Sequence, residues 1–85
     1  HCLLSNSKNV SNIKKIYAHE QTFLQCNEWL TRNIPNAKRI FCTSNSAAAK
    51  KIQNVNSSAA IASESCSALY KIPILKMNIN DIFIY

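Results

Sequence analysis

The chain has 85 residues, of which 47% are hydrophobic and 16% charged, so its composition is that of one small globular domain and excludes a mainly disordered protein. Its net charge is +6, but the basic residues occur singly or in pairs, and this scatter argues against a nucleic-acid interface. The sequence has no apolar run of the roughly 18 residues that a membrane span needs and no recognisable signal peptide, so we expect a cytoplasmic protein without a membrane partner.

Strand-like and helix-like segments alternate along the chain. In chain order they are strand 13–18, helix 20–33, strand 38–43, helix 46–54, strand 59–62, helix 64–70 and strand 72–77. The first helix is indicated by apolar residues at intervals of three or four, and Pro35 ends it. Ser44 or Asn45 is expected to cap the second helix, and Ser63 the third.

This alternation is typical of an α/β fold with a parallel or mixed sheet and crossover helices. In a parallel sheet the turns from strand to helix lie at one edge, beyond the carboxyl ends of the strands, where ligands of open α/β folds bind. Three of these turns carry polar clusters, namely His19-Glu20-Gln21, Ser44-Asn45-Ser46 and Ser63-Glu64-Ser65. Unpaired N–H groups in the first helical turns would also suit a carboxylate or phosphate there. At any single turn, however, the polar residues could equally serve only as helix caps.

Four cysteines are present, and none of them forms a CxxC pair or has a histidine at ligand spacing. We therefore expect no zinc site, and no feature of the sequence calls for another metal or a cofactor. The cysteines stand in apolar segments, which predicts buried, reduced thiols; they are Cys2, Cys26, Cys42 and Cys66.

Several separate stretches together resemble prephenate dehydratase over nearly the whole chain. They are HCLL, IKKIYAHEQTFLQCNEWL, TSNSAAAKKI, AAIASESCSALY and IPILKMNIND. The resemblance implies the second, smaller lobe of a fold similar to type 2 periplasmic binding proteins, with prephenate in the cleft between two lobes. It also implies that residues 1–85 form a single lobe with no ACT or chorismate mutase domain, and that the complementary lobe of the same enzyme is its partner.

Matched by position, five residues are implied to contact the substrate, and the third polar turn adds Ser63. The five are His19, Gln21, Gln25, Ser44 and Asn45. Helical spacing puts Gln25 in the second turn, where it could equally face solvent. Two departures from the family are Ala18, where many members have Ser, and Lys71, where the family has Gly. If Lys71, which replaces the family's Gly, takes the left-handed conformation that ends many helices, it costs about 1 kcal/mol relative to Gly.

The last residues depart furthest from the family. Its members follow the NIND-like segment with an Asn and then Thr-Arg-Phe, which supplies the principal catalytic Thr and an Arg for the substrate's charge. This chain reads instead NDIFIY over residues 80–85, so we expect no catalytic residue in it and no activity from the chain alone. Three alternatives stay open: a non-catalytic carboxylate or amino-acid binder, a nucleic-acid binder that uses the +6 charge, and a structural half that pairs with another chain or as a homo-oligomer.

Overall fold

Five strands and three α-helices make up residues 1–81, the part of the chain that the computed structural model describes. In order they are β1 (Cys2–Ser5), a 3₁₀ helix (Val10–Asn12), β2 (Lys15–Ala18), α1 (Glu20–Asn33), β3 (Lys38–Phe41), α2 (Asn45–Lys51), β4 (Ser58–Ala62), α3 (Glu64–Tyr70) and β5 (Ile74–Lys76). All seven predicted elements are confirmed, and α1 and α3 have the predicted ends. The second helix stops three residues early, because Asn54 has a φ of 62° and cannot continue a right-handed helix.

The sheet has the strand order β3-β2-β4-β1-β5 and is mixed. Strand β2 pairs in parallel with β3 and β4, whereas β1 runs antiparallel to both β4 and β5. The four predicted strands therefore share one direction, and β1, which the sequence did not predict, is inserted between two of them in the opposite direction. A buried run of four residues without alternation cannot be assigned from its periodicity, which is why β1 was missed.

Helices cover both faces of the sheet. The neighbouring residues Leu3 and Leu4 of β1 point to opposite faces, and each is fully buried. Leu3 belongs to the core under α1, where Leu30 also lies. Leu4 belongs to the core on the other face, which it shares with the α2 alanines and Ile52. Among residues 1–81, no helix is both long enough and apolar enough to cross a membrane.

Lys71 ends α3 with φ 55° and ψ 47°, so it takes the left-handed conformation at this turn. Its N–H bonds to the carbonyl of Ser67, as at a left-handed helix C-terminus. Because a side chain with a Cβ is strained there, we expect Lys71→Gly to stabilise the lobe by about 1 kcal/mol, which corresponds to a rise in Tm of about 4–8 °C. Thermal unfolding followed by circular dichroism measures this change.

The control for this substitution is Asn54→Gly, because Asn54 also has a positive φ. Asparagine tolerates the left-handed region better than lysine does, so the gain at Asn54 should be smaller. An equal gain at both positions would mean that the lysine side chain is not the source of the strain, and a fall in Tm at Lys71 would rule out strain there altogether.

Candidate functional site

Three helices begin at the same edge of the sheet, because β2, β3 and β4 are parallel and each is followed by a helix. Each helix has a side-chain cap. His19 Nδ1 accepts from the N–H of Gln21 (3.1 Å), Ser44 Oγ from Ala47 (3.0 Å) and Ser63 Oγ from Cys66 (3.3 Å). The prediction that these polar turns meet at the carboxyl edge is therefore confirmed, and all three caps stabilise helices as well.

The capping bonds leave hydrogen-bond donors at the surface of this edge. Because His19 Nδ1 accepts a hydrogen bond, a neutral His19 ring carries its proton on Nε2, and the side chain is exposed. Ser44 and Ser63 accept with their oxygens and keep their hydroxyl protons for another partner. An imidazole N–H and two hydroxyl groups at one edge can bind carboxylate oxygens.

Asn45 links the starts of α1 and α2. Its Oδ1 accepts from the backbone N–H of His19 (3.0 Å), and its Nδ2 donates to Thr22 Oγ1 (2.8 Å). Thr22 is buried, so Asn45 satisfies a hydroxyl that has little access to water. The structure thus brings two of the predicted residues, His19 and Asn45, into contact, and Asn45 holds the His19 backbone in place.

Replacing Asn45 with alanine is expected to destabilise the lobe by about 1–2 kcal/mol, because the buried Thr22 hydroxyl loses its donor. Thr22→Val removes the same hydrogen bond from the other side. Urea unfolding of the two single variants and the double variant gives the coupling free energy, which we expect to be about 0.5–2 kcal/mol. Strictly additive effects would show that the hydrogen bond between Asn45 and Thr22 contributes nothing.

Gln25 and Gln21 differ in their surroundings. Gln21 is exposed in the first turn of α1, whereas Gln25 is half-buried and its Oε1 lies 2.8 Å from His1 Nε2. The pairing of Cys2 with Ala62 places His1 beyond the carboxyl end of β4, at the edge where the helices begin. Gln25 therefore contacts this edge through His1, and the structure gives it no hydrogen bond to the other predicted residues.

Four residues around the site were not found from the sequence: His1, Thr22, Asn80 and Asp81. The backbone nitrogen of His1 donates to Asn80 Oδ1 (2.8 Å), and its carbonyl accepts from Ile79 (3.1 Å). Asp81 contacts the middle of α1. These contacts of His1, Asn80 and Asp81 join positions 52–79 residues apart, and Thr22 meets Asn45 across 23 residues. The position of His1 also depends on the unpredicted strand β1, so no local pattern could have revealed these residues.

The α1 side of the edge carries a buried thiol. Cys26 is fully buried, and this burial raises the pKa of its thiol from 9.0 to about 11; the Asp81 carboxylate adds to the rise, and the positive amino terminus partly offsets it. Cys26 is thus a neutral packing residue at neutral pH. Within residues 1–81, no three His, Cys, Asp or Glu side chains are arranged to hold a metal ion.

Two depressions in the described surface lie away from the six predicted residues. One, of about 260 Å³, lies between the 3₁₀ helix and the end of α1 around Pro35. The other, of about 330 Å³, lies beside Trp29 and Asp81. The six residues instead share an open edge, where four of them are exposed and Gln25 and Asn45 are half-buried. The chemistry and geometry of this edge, and not the depth of a pocket, mark it as the candidate site.

The fold places this chain among the α/β lobes of the periplasmic-binding-protein type. The family model for prephenate dehydratase matches residues 1–82. The chain belongs to the prephenate dehydratase family.

Known relatives agree with this assignment. The chain is 36% identical over 81 residues to the bifunctional chorismate mutase/prephenate dehydratase of Pseudomonas aeruginosa, covering 95% of this chain and 22% of that protein. It is 30% identical over 82 residues to arogenate dehydratase/prephenate dehydratase 2 of Arabidopsis thaliana, a chloroplastic protein, with the same coverage. The chain therefore spans about a fifth of the length of these relatives.

Solved structures share the fold. The prephenate dehydratase of Arthrobacter aurescens, determined in complex with L-Phe, matches with a TM-score of 0.85 and 26% identity over 95% of this chain and 28% of that chain. GqqA, described as a novel type of quorum quenching acylase, matches with a TM-score of 0.84 and 20% identity over 94% of this chain and 30% of its own. At 20% identity the second match shows the fold alone.

Proposed function

We propose that residues 1–85 form a single lobe of a cytoplasmic prephenate dehydratase, and that the carboxyl edge of the sheet is one wall of its substrate cleft. The enzyme would convert prephenate to phenylpyruvate on the route to L-phenylalanine. The observation that carries this proposal is the placement of His19, Ser44 and Ser63 at one edge, in a chain that the family model matches over residues 1–82.

Directed hydrogen-bond donors explain recognition of the proposed substrate better than the net charge of the chain does. Prephenate carries two carboxylates, and the edge offers the Nε2–H of His19, the hydroxyls of Ser44 and Ser63 and the exposed amide of Gln21. Two acidic residues, Glu20 and Glu64, also stand in the first turns of α1 and α3 and weaken the local preference for anions. Recognition would therefore depend on directed hydrogen bonds more than on the overall positive charge.

The reaction explains why one lobe does not suffice. The bond between the ring and its carboxylate breaks, its electron pair forms the new ring double bond, and the ring C–O bond breaks, so that the hydroxyl leaves as water once it gains a proton. A proton donor must therefore reach the hydroxyl while donors hold both carboxylates. The edge is open to solvent, so the complementary lobe would have to enclose the substrate and supply the proton. We propose that the chain alone is inactive.

A lobe exchange tests the proposal. Residues 1–81 of this chain replace the matching segment of the Pseudomonas aeruginosa bifunctional enzyme, and the relative's own residues follow. We expect the chimaera to form phenylpyruvate from prephenate, which its ultraviolet absorbance records, whereas the 85-residue chain alone forms none. Cooperative thermal unfolding followed by circular dichroism verifies that the exchanged lobe has folded, and the chorismate mutase activity measures the amount of intact polypeptide. A folded chimaera with mutase activity but without dehydratase activity contradicts the proposal, and turnover by the chain alone contradicts its inactivity.

The variant His19→Asn separates capping from ligand binding in the same chimaera. Asparagine is a favourable helix cap, so the stability of α1 should be kept, but it lacks the imidazole Nε2–H. We expect a higher KM for prephenate with an unchanged Tm. An unchanged KM would mean that His19 is only a cap.

A further inference from the structure

Asp81 contacts the backbone of α1 in the middle of the helix, far from either end. Its Oδ2 accepts from the N–H of Glu28 (2.9 Å) and its Oδ1 from the N–H of Trp29 (3.0 Å). Its own N–H donates to the carbonyl of Gln25 (2.7 Å). Three hydrogen bonds therefore tie this one residue to a single turn of α1.

The contact is unusual because of the groups that it uses. In a regular α-helix the N–H of Trp29 donates to the carbonyl of Gln25. Asp81 gives both of these groups a hydrogen-bond partner from outside the helix. A carboxylate forms the stronger, charge-assisted kind of bond, so these contacts hold the turn firmly.

Residues at both ends of the described chain bond to one another and to the turn of α1 that contains Gln25. The side chain of Gln25 contacts His1 Nε2 at 2.8 Å, and the His1 carbonyl accepts from Ile79, two residues before Asp81. The backbone nitrogen of His1 also donates to Asn80 Oδ1. The start of the described chain, its end and the middle of α1 thus form one connected cluster of hydrogen bonds.

The first turn of α1 is held separately. Asn45, at the start of α2, accepts from the N–H of His19 and donates to Thr22. Both attachments lie on α1, a continuous helix of 14 residues, which transmits a tilt at its third turn to its first. The orientation of His19 and Gln21 is therefore set from two sides, one of which is Asp81.

We propose that Asp81 is a positioning residue, which fixes the orientation of α1 and through it the placement of His19 and Gln21 at the carboxyl edge. This inference rests on the proposed function, because that edge is the proposed wall of the substrate cleft. A change in the chain segment around residues 79–81 would reach the site through the bonds to Gln25, Glu28 and Trp29, without any contact between Asp81 and the substrate.

NMR of the 85-residue chain tests the proposal with the variants Asp81→Ala and Asp81→Asn. The amides of Glu28 and Trp29 should exchange with solvent about tenfold faster in Asp81→Ala, since both lose an acceptor. Residual dipolar couplings should then show that α1 has rotated relative to β2, and the ring resonances of His19 should shift. A merely local role for Asp81 predicts the faster exchange without the rotation or the His19 shift, and that result would overturn the proposal.

One further variant, together with Asp81→Asn, keeps the result decisive. Glu28→Gln removes one exposed carboxylate from the same turn, which pairs with Arg32 at 3.5 Å, and should change neither the orientation of α1 nor His19. If Asp81→Ala unfolds, Asp81→Asn, which keeps one acceptor oxygen, provides the decisive couplings, and an unrotated α1 in that variant counts against the proposal.

Binding of phenylpyruvate distinguishes a failure of this inference from a failure of the proposed function. If the wild-type chain binds phenylpyruvate at the carboxyl edge, Asp81→Asn should weaken that binding about fivefold or more, and equal affinity would contradict the positioning role. If the wild-type chain and the lobe-exchange chimaera both fail to recognise these ligands, the proposed function fails, while the couplings still decide whether Asp81 orients α1.

Discussion

Replacing Leu30 with alanine is expected to destabilise the lobe by about 3–5 kcal/mol, the largest loss that we predict for a single residue in α1. Leu30 is fully buried between α1 and the sheet. Truncation to alanine loses its burial and leaves a cavity that the surrounding strands cannot close. A domain of this size has little stability to lose, so urea unfolding should begin at a much lower denaturant concentration, with Tm lowered by more than about 10 °C.

Leu24→Ala is the matched control, because it makes the same substitution in the same helix. The Leu24 side chain is 63% exposed, so its removal should cost less than about 0.5 kcal/mol. Both substitutions change helix propensity by a similar small amount, and the difference between them therefore isolates burial. Similar losses at both positions would show that α1 does not pack on the sheet through the face that contains Leu30.

Raising the pH from 9 to 11 is expected to remove about 2 kcal/mol of stability through Cys26 alone. Burial raises the pKa of this thiol from 9.0 to about 11. Above pH 9 the unfolded chain loses the thiol proton while the folded chain keeps it, so the unfolded state binds fewer protons and stability falls as the pH rises. Below pH 9 both states keep the proton and this contribution is constant.

The variant Cys26→Ala separates this effect from other groups that titrate in the same range. Urea unfolding at intervals between pH 7 and 11 should give a steeper loss for the wild-type chain than for the variant. Since only the thiolate reacts with iodoacetamide, the native Cys26 should also alkylate about a hundredfold more slowly at pH 8 than an exposed thiol of ordinary pKa. Parallel stability curves for the two chains would contradict the raised pKa.

Local patterns predicted α1 and the helix caps correctly. The apolar stripe that contains Phe23, Cys26 and Leu30 has helical spacing, and those are the buried apolar residues of the helix. The left-handed conformation of Lys71 was suggested by the family resemblance, because the family has Gly at this turn. The meeting of the three polar turns at one edge also followed from the sequence, because strand–helix–strand units impose parallel strands.

Contacts between distant residues were not predictable in the same way. The place of β1 in the sheet depends on pairing with residues near positions 60 and 75, and no local pattern specifies that pairing. The hydrogen bonds of Asp81 to α1 and the bond between Gln25 and His1 depend in turn on where residues 1 and 81 lie. The sequence could nominate Gln25 as a site residue but could not identify its neighbour.

The position of β1 between β4 and β5 determines when the sheet of this lobe can be completed. Its residues Cys2–Ser5 are synthesised before the other strands of the lobe, but their partners in β4 follow more than 50 residues later, and those in β5 later still. The apolar side chains of β1 stay without their sheet partners until almost the whole lobe has been made. Since such distant contacts close slowly, we expect folding to be limited by the docking of this first strand, even though the helices form from local sequence.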